Sequence, residues 1–216
     1  MALFNSKLLI FDLDGTLIDT RQDLANSINH ALKECNVRTL QEEKIFSFTG
    51  NGIDYLIDRC VPKADSDKLP EIREAFVKHY EKNLVVESTV LEGVTEVLNY
   101  FSDKTLCILS NKPEKYCRMI LEAFKLDGYF KEIVGGDTFG VMKPEKTAVK
   151  KLYKKYKVLQ EETILVGDGP QDINAAKNAG IKMAAVTYGY HSENRLKKEN
   201  PDLLLDTLTA LMNYID

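Results

Sequence analysis

The 216-residue chain has no tryptophan, only three histidines and only four cysteines. His30, His79 and His191 stand far apart, which argues against a histidine-based zinc site. Cys35, Cys60, Cys107 and Cys117 form no C-x-x-C pair and are too sparse for a disulfide framework. Reduced thiols in a cytoplasmic protein are therefore expected. Positive charge is not in excess, since 29 Lys and Arg face 33 Asp and Glu for a net −4. That balance excludes a general nucleic-acid partner or an anionic membrane surface. Long apolar runs are also missing. The first, Leu8 to Phe11, stops at Asp12, too short for a signal-peptide core. No later run approaches the ~20 residues that a membrane helix needs. Monomer and dimer are equally compatible with this composition.

What is present suits a globular protein with a full core: 44% of residues are hydrophobic and 29% charged. Short apolar runs recur at Leu8–Phe11, Leu106–Leu109, Ile164–Val166 and Met183–Val186, with a weaker one at Ile133-Val134. Runs of this length, each followed by polar or glycine-containing sequence, predict buried parallel strands. Segments of helical period lie between the later ones. Tyr116, Met119, Ile120, Ala123 and Phe124 share one helical face; Val149, Leu152, Tyr153 and Tyr156 share another. Residues 19–86 read differently. Three amphipathic helices are predicted there, through Leu24–Cys35, Ile53–Cys60 and Leu69–Tyr80, with Asp65, Ser66 and Asp67 as caps before the third. The expected fold is α/β, a doubly wound parallel-sheet (Rossmann-like) core with an inserted helical cap domain. Residues 1–18 and 87–216 would form the core and 19–86 the cap.

The strongest motif is Asp12-Leu13-Asp14-Gly15-Thr16, directly after the first strand. In open α/β sheets, ligands bind outside the carboxyl ends of the strands. Carboxylates at i and i+2 of an extended chain point the same way and call for a cation. Gly15 permits a sharp turn that brings backbone N–H groups near an anion, and Thr16 adds a hydroxyl. A second pair, Asp168 and Asp172, lies in Gly167-Asp168-Gly169-Pro170-Gln171-Asp172 at another strand end. Several hard oxygen ligands, with few histidines or cysteines, suit Mg²⁺. Ser110-Asn111 ends the strand at Leu109 and precedes Lys112-Pro113-Glu114, an ordinary helix start that also offers free N–H groups to an anion. Lys143-Pro144-Glu145 precedes another helix. A lone lysine is usually a surface residue, so the case for Lys143 rests on the other motifs.

Taken in order, these four motifs resemble those of the haloacid dehalogenase superfamily, in its phosphoglycolate-phosphatase-like branch. The resemblance covers essentially the whole chain. It implies a phosphatase for a small phosphorylated metabolite, working through an aspartyl-phosphate. Asp12 would be the nucleophile and Asp14 the general acid and base. Mg²⁺ would be held by Asp12, the Asp14 backbone carbonyl and Asp168, with Asp172 in support. Thr16, Ser110, Asn111 and Lys143 would bind substrate, Thr16, Ser110 and Lys143 by holding the phosphoryl oxygens. Thr49-Gly50-Asn51-Gly52-Ile53 is similar to the cap loop that faces the active site in phosphoglycolate-type members, which makes Gly50, Asn51 and Gly52 substrate-binding candidates. Asp14 argues against dehalogenase and phosphonatase members, which lack this second aspartate. A phosphosugar mutase of the β-phosphoglucomutase type and a pyrophosphatase remain as alternatives on the same fold.

Overall fold

The computed structural model describes residues 4–216. Strand β1 (Leu8–Phe11) leads into a two-residue strand β2 (Ile18–Asp19). Helices α1 (Arg21–Glu34), α2 (Glu42–Phe46), α3 (Ile53–Cys60) and α4 (Leu69–Tyr80) follow. The chain returns through β3 (Thr89–Val90), which pairs antiparallel with β2. It then alternates: α5 (Val94–Tyr100), β4 (Thr105–Leu109), α6 (Glu114–Ala123), β5 (Glu132–Val134), α7 (Thr147–Lys155), β6 (Thr163–Gly167), α8 (Pro170–Ala179), β7 (Lys182–Val186), α9 (Glu193–Lys198) and β8 (Leu203–Leu205).

Six strands form one parallel sheet in the order β5-β4-β1-β6-β7-β8, so β1 lies inside it between β4 and β6. All four β1 side chains are fully buried. Leu9 and Phe11 join an apolar cluster with residues of α1, α3, α4, α5 and α6; Leu8 and Ile10 join one with residues of α7, α8 and α9. Alternation along the strand thus covers the sheet on both faces, which is why β1 reads as an unbroken apolar run. Its carboxyl end, where Asp12 stands, is flanked by the ends of β4 and β6. Among the described residues, no helix is long and apolar enough to cross a membrane.

Local signals fared unevenly. Asp65, Ser66 and Asp67 do not cap α4. They lie in a short 3-10 helix (Lys63–Lys68), and Asp65 accepts instead from Lys68 Nζ at 3.0 Å. A six-residue helical turn already occupies the segment, so no extended N-cap residue is left. At α6, neither Ser110 nor Asn111 caps the helix. Its first N–H, that of Glu114, donates to Asp137 Oδ1 at 2.8 Å.

Where the chain leaves the parallel sheet for the helices α1 to α4 and returns to it, one carboxylate ties both crossings. Asp23, buried in the first turn of α1, accepts from Glu87 N–H at 3.0 and 3.1 Å, Ser88 N–H at 2.8 Å and Ser88 Oγ at 2.6 Å. Three donors on one buried carboxylate make a strong, specific junction.

Candidate active site

Asp12 follows β1 and stays in register, its N–H donating to Val166 O at 2.9 Å. Its carboxylate is therefore aimed by the sheet itself. Gly15 makes the turn beyond it at φ +81°, and a Cβ there would lie 2.5 Å from Asp168 Oδ2 and 3.0 Å from the Tyr190 ring. Glycine is required twice over, by the backbone and by this close approach. The turn brings Asp14 beside Asp12, and Thr20 Oγ1 donates to Asp14 Oδ1 at 2.5 Å.

Two buried lysines fix these aspartates. Lys143 Nζ lies 2.8 Å from Asp12 Oδ1 and 2.6 Å from Asp172 Oδ1, and donates to Leu109 O at 2.8 Å. The Asp172 contact is an ion pair without hydrogen-bond alignment. Lys112 Nζ donates to Asp14 Oδ1 at 2.6 Å. Asp12 Oδ1 also accepts from Leu13 N–H at 2.7 Å. Each aspartate thus has Oδ1 anchored, and none of these bonds uses Oδ2. Burial alone would drain charge from both lysines, but Asp14 more than offsets it at Lys112, as Asp12 and Asp172 do at Lys143, so both stay protonated.

Asp168 and Asp172 arrive from the β6 end and the start of α8. Asp168 Oδ2 accepts from Tyr190 N–H at 2.6 Å, and Thr16 Oγ1 lies 3.5 Å from Asp168 Oδ1. Asp172 Oδ2 accepts from Gly169 N–H at 3.0 Å. Asp12, Asp168 and Asp172, all buried, each offer an oxygen within 4.8 Å of the others. Burial pushes Asp12 up to about 7, against Lys143, with Asp172 and Asp14 adding to the rise. Burial also raises Asp168 and Asp172. Three carboxylates against the single ammonium of Lys143 leave two negative charges uncompensated, which a divalent cation would match. The donor set fits a hard metal ion.

This has a thermodynamic sign. A carboxyl whose folded pKa is raised binds protons more tightly when folded, so its contribution to stability falls as pH rises from the unfolded value towards about 7. A divalent cation competes with that proton. The increase in Tm on adding Mg²⁺ to metal-stripped protein should therefore be larger at about pH 8 than at about pH 5.5. Thermal scans at both values check this, and an equal or reversed difference would count against it.

Ser110 and Asn111 follow β4. Ser110 Oγ accepts from Lys112 N–H at 3.2 Å. Asn111 Oδ1 accepts from Lys143 N–H at 2.8 Å, while its Nδ2 is 3.2 Å from both Lys143 O and Gly50 O. One amide thus joins the second motif, the third motif and the loop before α3. A narrow cavity, partly open to solvent, lies between these elements. Asp12, Asp14, Ser110, Asn111 and Lys112 line it from the sheet side, and Leu24, Thr49, Gly50, Gly52, Ile53 and Leu56 from the helices opposite. The structure places Gly50 and Gly52 on the cavity but leaves Asn51 exposed, on a neighbouring cleft. Thr16, Lys143, Asp168 and Asp172 are buried beside Asp12 without lining the cavity.

Sequence reasoning missed Lys112 and Thr20, the two groups that hold Asp14. It also missed Gln171, whose amide lies against Gly50 so closely that a Cβ there would meet Nε2 at 3.0 Å. The position of Lys112 immediately after Ser110-Asn111 was the available signal.

Several known proteins are similar to this chain over nearly its whole length. The phosphoglycolate phosphatase of Vibrio parahaemolyticus is 34% identical over 218 residues, covering 97% of this chain and 96% of its own. That of Haemophilus influenzae is 32% identical, covering 97% and 98%. Among solved structures, a predicted phosphoglycolate phosphatase from Haemophilus somnus 129pt superposes with a TM-score of 0.91 at 33% identity, covering 96% of each chain. A predicted phosphatase from Clostridium acetobutylicum, 23% identical, shares the fold at a TM-score of 0.81, covering 97% of each chain. The family model described as haloacid dehalogenase-like hydrolase matches residues 9–186, and the chain belongs to that family.

Proposed function

We propose that the protein is a phosphatase that passes the phosphoryl group of a small phosphate monoester to Asp12 and then to water. One observation carries this reading: two carboxylates on one cavity, Asp12 and Asp14, each have one oxygen anchored by a buried lysine. Asp12 Oδ2 is the nucleophile, and the anchored Oδ1 holds the carboxylate in line. Asp14 protonates the leaving oxygen and later takes a proton from the attacking water. Lys143, Thr16 and the Ser110 hydroxyl hold the phosphoryl oxygens, and positioning of this kind supplies most of the catalysis in phosphoryl transfer.

Asp12, the Asp14 backbone carbonyl and Asp168 would hold Mg²⁺, with Asp172 behind them. Bound there, the ion would neutralise the crowded carboxylates and stabilise charge on the phosphoryl oxygens. Residues 19–86 act as a cap over a core of 1–18 and 87–216, with residues 1–3 outside the described region. The cap loop at Gly50 and Gly52 supports the substrate from above. The named activity of the full-length relatives makes phosphoglycolate the first substrate to try. Free Cys35, Cys60, Cys107 and Cys117 fit a reducing, cytoplasmic setting.

Phosphate release from a panel of phosphomonoesters, 2-phosphoglycolate among them, tests the proposal. Activity should disappear with a chelator, return with Mg²⁺ and stay low with Ca²⁺, whose larger and looser coordination disturbs the in-line geometry. Full activity after exhaustive chelation, or no release from any monoester, would overturn it.

A further inference from the structure

We infer that Tyr190 is a positioning residue for proton transfer, its hydroxyl holding Asp14 through Thr20 while its backbone N–H holds Asp168. The inference rests on the phosphatase reading and adds to it a residue that does not line the cavity. Three consecutive residues between β7 and α9, Tyr188, Gly189 and Tyr190, grip the turn after β1. The Tyr188 hydroxyl donates to Thr16 O at 2.8 Å. A Cβ on Gly189 would lie 2.6 Å from Gly15 O and 2.5 Å from Asp168 Oδ2, so glycine alone fits this approach. Tyr190 N–H donates to Asp168 Oδ2 at 2.6 Å, and its ring edge lies against Gly15.

The far end of Tyr190 reaches a different group. Its hydroxyl accepts from Thr20 N–H at 2.9 Å. Thr20 is fully buried, and among the described residues no other acceptor meets that N–H. The phenol has one proton of its own, shared between Asp19 Oδ1 at 3.3 Å and Thr20 Oγ1 at 3.4 Å. Thr20 is the N-cap of α1, where a threonine hydroxyl ordinarily accepts from the helix. Here it makes no such bond and donates to Asp14 Oδ1 at 2.5 Å instead. The phenol ring is fixed as well. The Arg21 guanidinium lies over it, 4.7 Å from the centroid, and Asp19 accepts from that guanidinium at 3.0 and 2.7 Å.

Lys112 holds the same Asp14 oxygen from the β4 side. An ammonium on a flexible stem sets a distance but little direction. The second donor, Thr20, fixes the plane of the carboxylate and so aims Oδ2, the oxygen left to carry the proton. Small misplacements of a reacting group are costly in rate. One side chain thus spans the site, with the acid and base at its hydroxyl end and a proposed Mg²⁺ ligand at its backbone.

Tyr190→Phe tests this by rapid mixing with ethyl phosphate and p-nitrophenyl phosphate. The substitution keeps the ring and the backbone N–H and removes only the hydroxyl. Formation of the phospho-enzyme from ethyl phosphate should slow about 10-fold, the scale of one lost hydrogen bond. From p-nitrophenyl phosphate, which needs little acid, it should slow by less than about threefold. The increase in Tm on adding Mg²⁺ to metal-stripped protein should match the wild type, since Asp168 keeps its N–H. In an Asp14→Asn background the substitution should add no further bias between the two esters.

Equal losses with both esters, or a smaller Mg²⁺-induced increase in Tm, overturn the inference, because Tyr190 would then only shape the loop that carries Asp168. An unchanged rate with ethyl phosphate also overturns it. Should Tyr190→Phe fail to fold, Thr20→Val breaks the same chain with Tyr190 in place. A loss there confined to ethyl phosphate and restored by Thr20→Ser sustains the inference, and a loss equal for both esters overturns it. Each of these failures leaves the phosphatase reading standing, whereas a wild-type protein that releases phosphate from no ester removes both.

Discussion

Asp12→Asn is expected to lower kcat by about 10⁴-fold or more, the scale seen when a nucleophile is removed from a working constellation. The amide has nearly the shape of the carboxylate and can keep the bond from Leu13 N–H, so the fold should survive. Metal-free stability should not fall. Asp12 is a carboxyl that burial pushes up to about 7, beside Asp172 and Asp14, and removing its charge relieves that crowding. The expected signature is a protein with an undiminished Tm without metal, no phosphate release and no trapped phosphoaspartate after rapid mixing. Mass spectrometry should confirm that the asparagine has not reverted by deamidation. Near-wild-type kcat in that verified variant would remove Asp12 from the reaction.

Asp14→Asn should separate the two halves of the reaction. The variant can still accept from Thr20 and Lys112 but cannot shuttle a proton. An alkoxide leaving group needs the acid, so formation of the phospho-enzyme from an alkyl phosphate should slow by about 10²- to 10⁴-fold. p-Nitrophenolate leaves with little protonation, so the same step should lose much less with p-nitrophenyl phosphate. Hydrolysis of the intermediate needs the base for either substrate. Rapid mixing with p-nitrophenyl phosphate should therefore give a burst of p-nitrophenol and accumulated phospho-Asp12. Equal first-step losses for both substrates, with no intermediate, would reduce Asp14 to a structural role.

How much of this was legible in the sequence depended on how local the cause was. β1, β4, β6 and β7 were readable because strands buried on both faces leave continuous apolar runs. β2 and β3 were not, being two residues each and defined only by their pairing. β8, at the sheet edge, is a bare Leu203-Leu204-Leu205 that periodicity cannot assign to strand or helix. Asp12, Asp14, Asp168 and Asp172 were readable because they stand immediately after, or one helical turn beyond, the strands that aim them. Lys112 was not. Buried lysines are rare, and its partner lies 98 residues away. Asn111 was read as part of a helix start and as a substrate-binding candidate; that its amide joins Gly50 and Lys143 across the site was not legible. Long-range polar pairings of this kind have no sequence period to betray them.

The Asp23 junction bears on how such a fold can change its length. The bonds from Asp23 to Glu87 and Ser88 close a loop whose ends are 64 and 65 positions apart. The entropy of closing a flexible loop rises only with the logarithm of its length, so a doubling adds about 0.6 kcal/mol. With its two ends pinned together at β2 and β3, the parallel sheet meets the inserted segment at one small doorway. A shorter or longer insertion could pass through that doorway with little change in closure entropy and without altering the strand register beside Asp12. The size of what lies over the site is therefore, in polymer terms, a nearly free parameter of this architecture, adjustable while the phosphoryl-transfer machinery stays fixed.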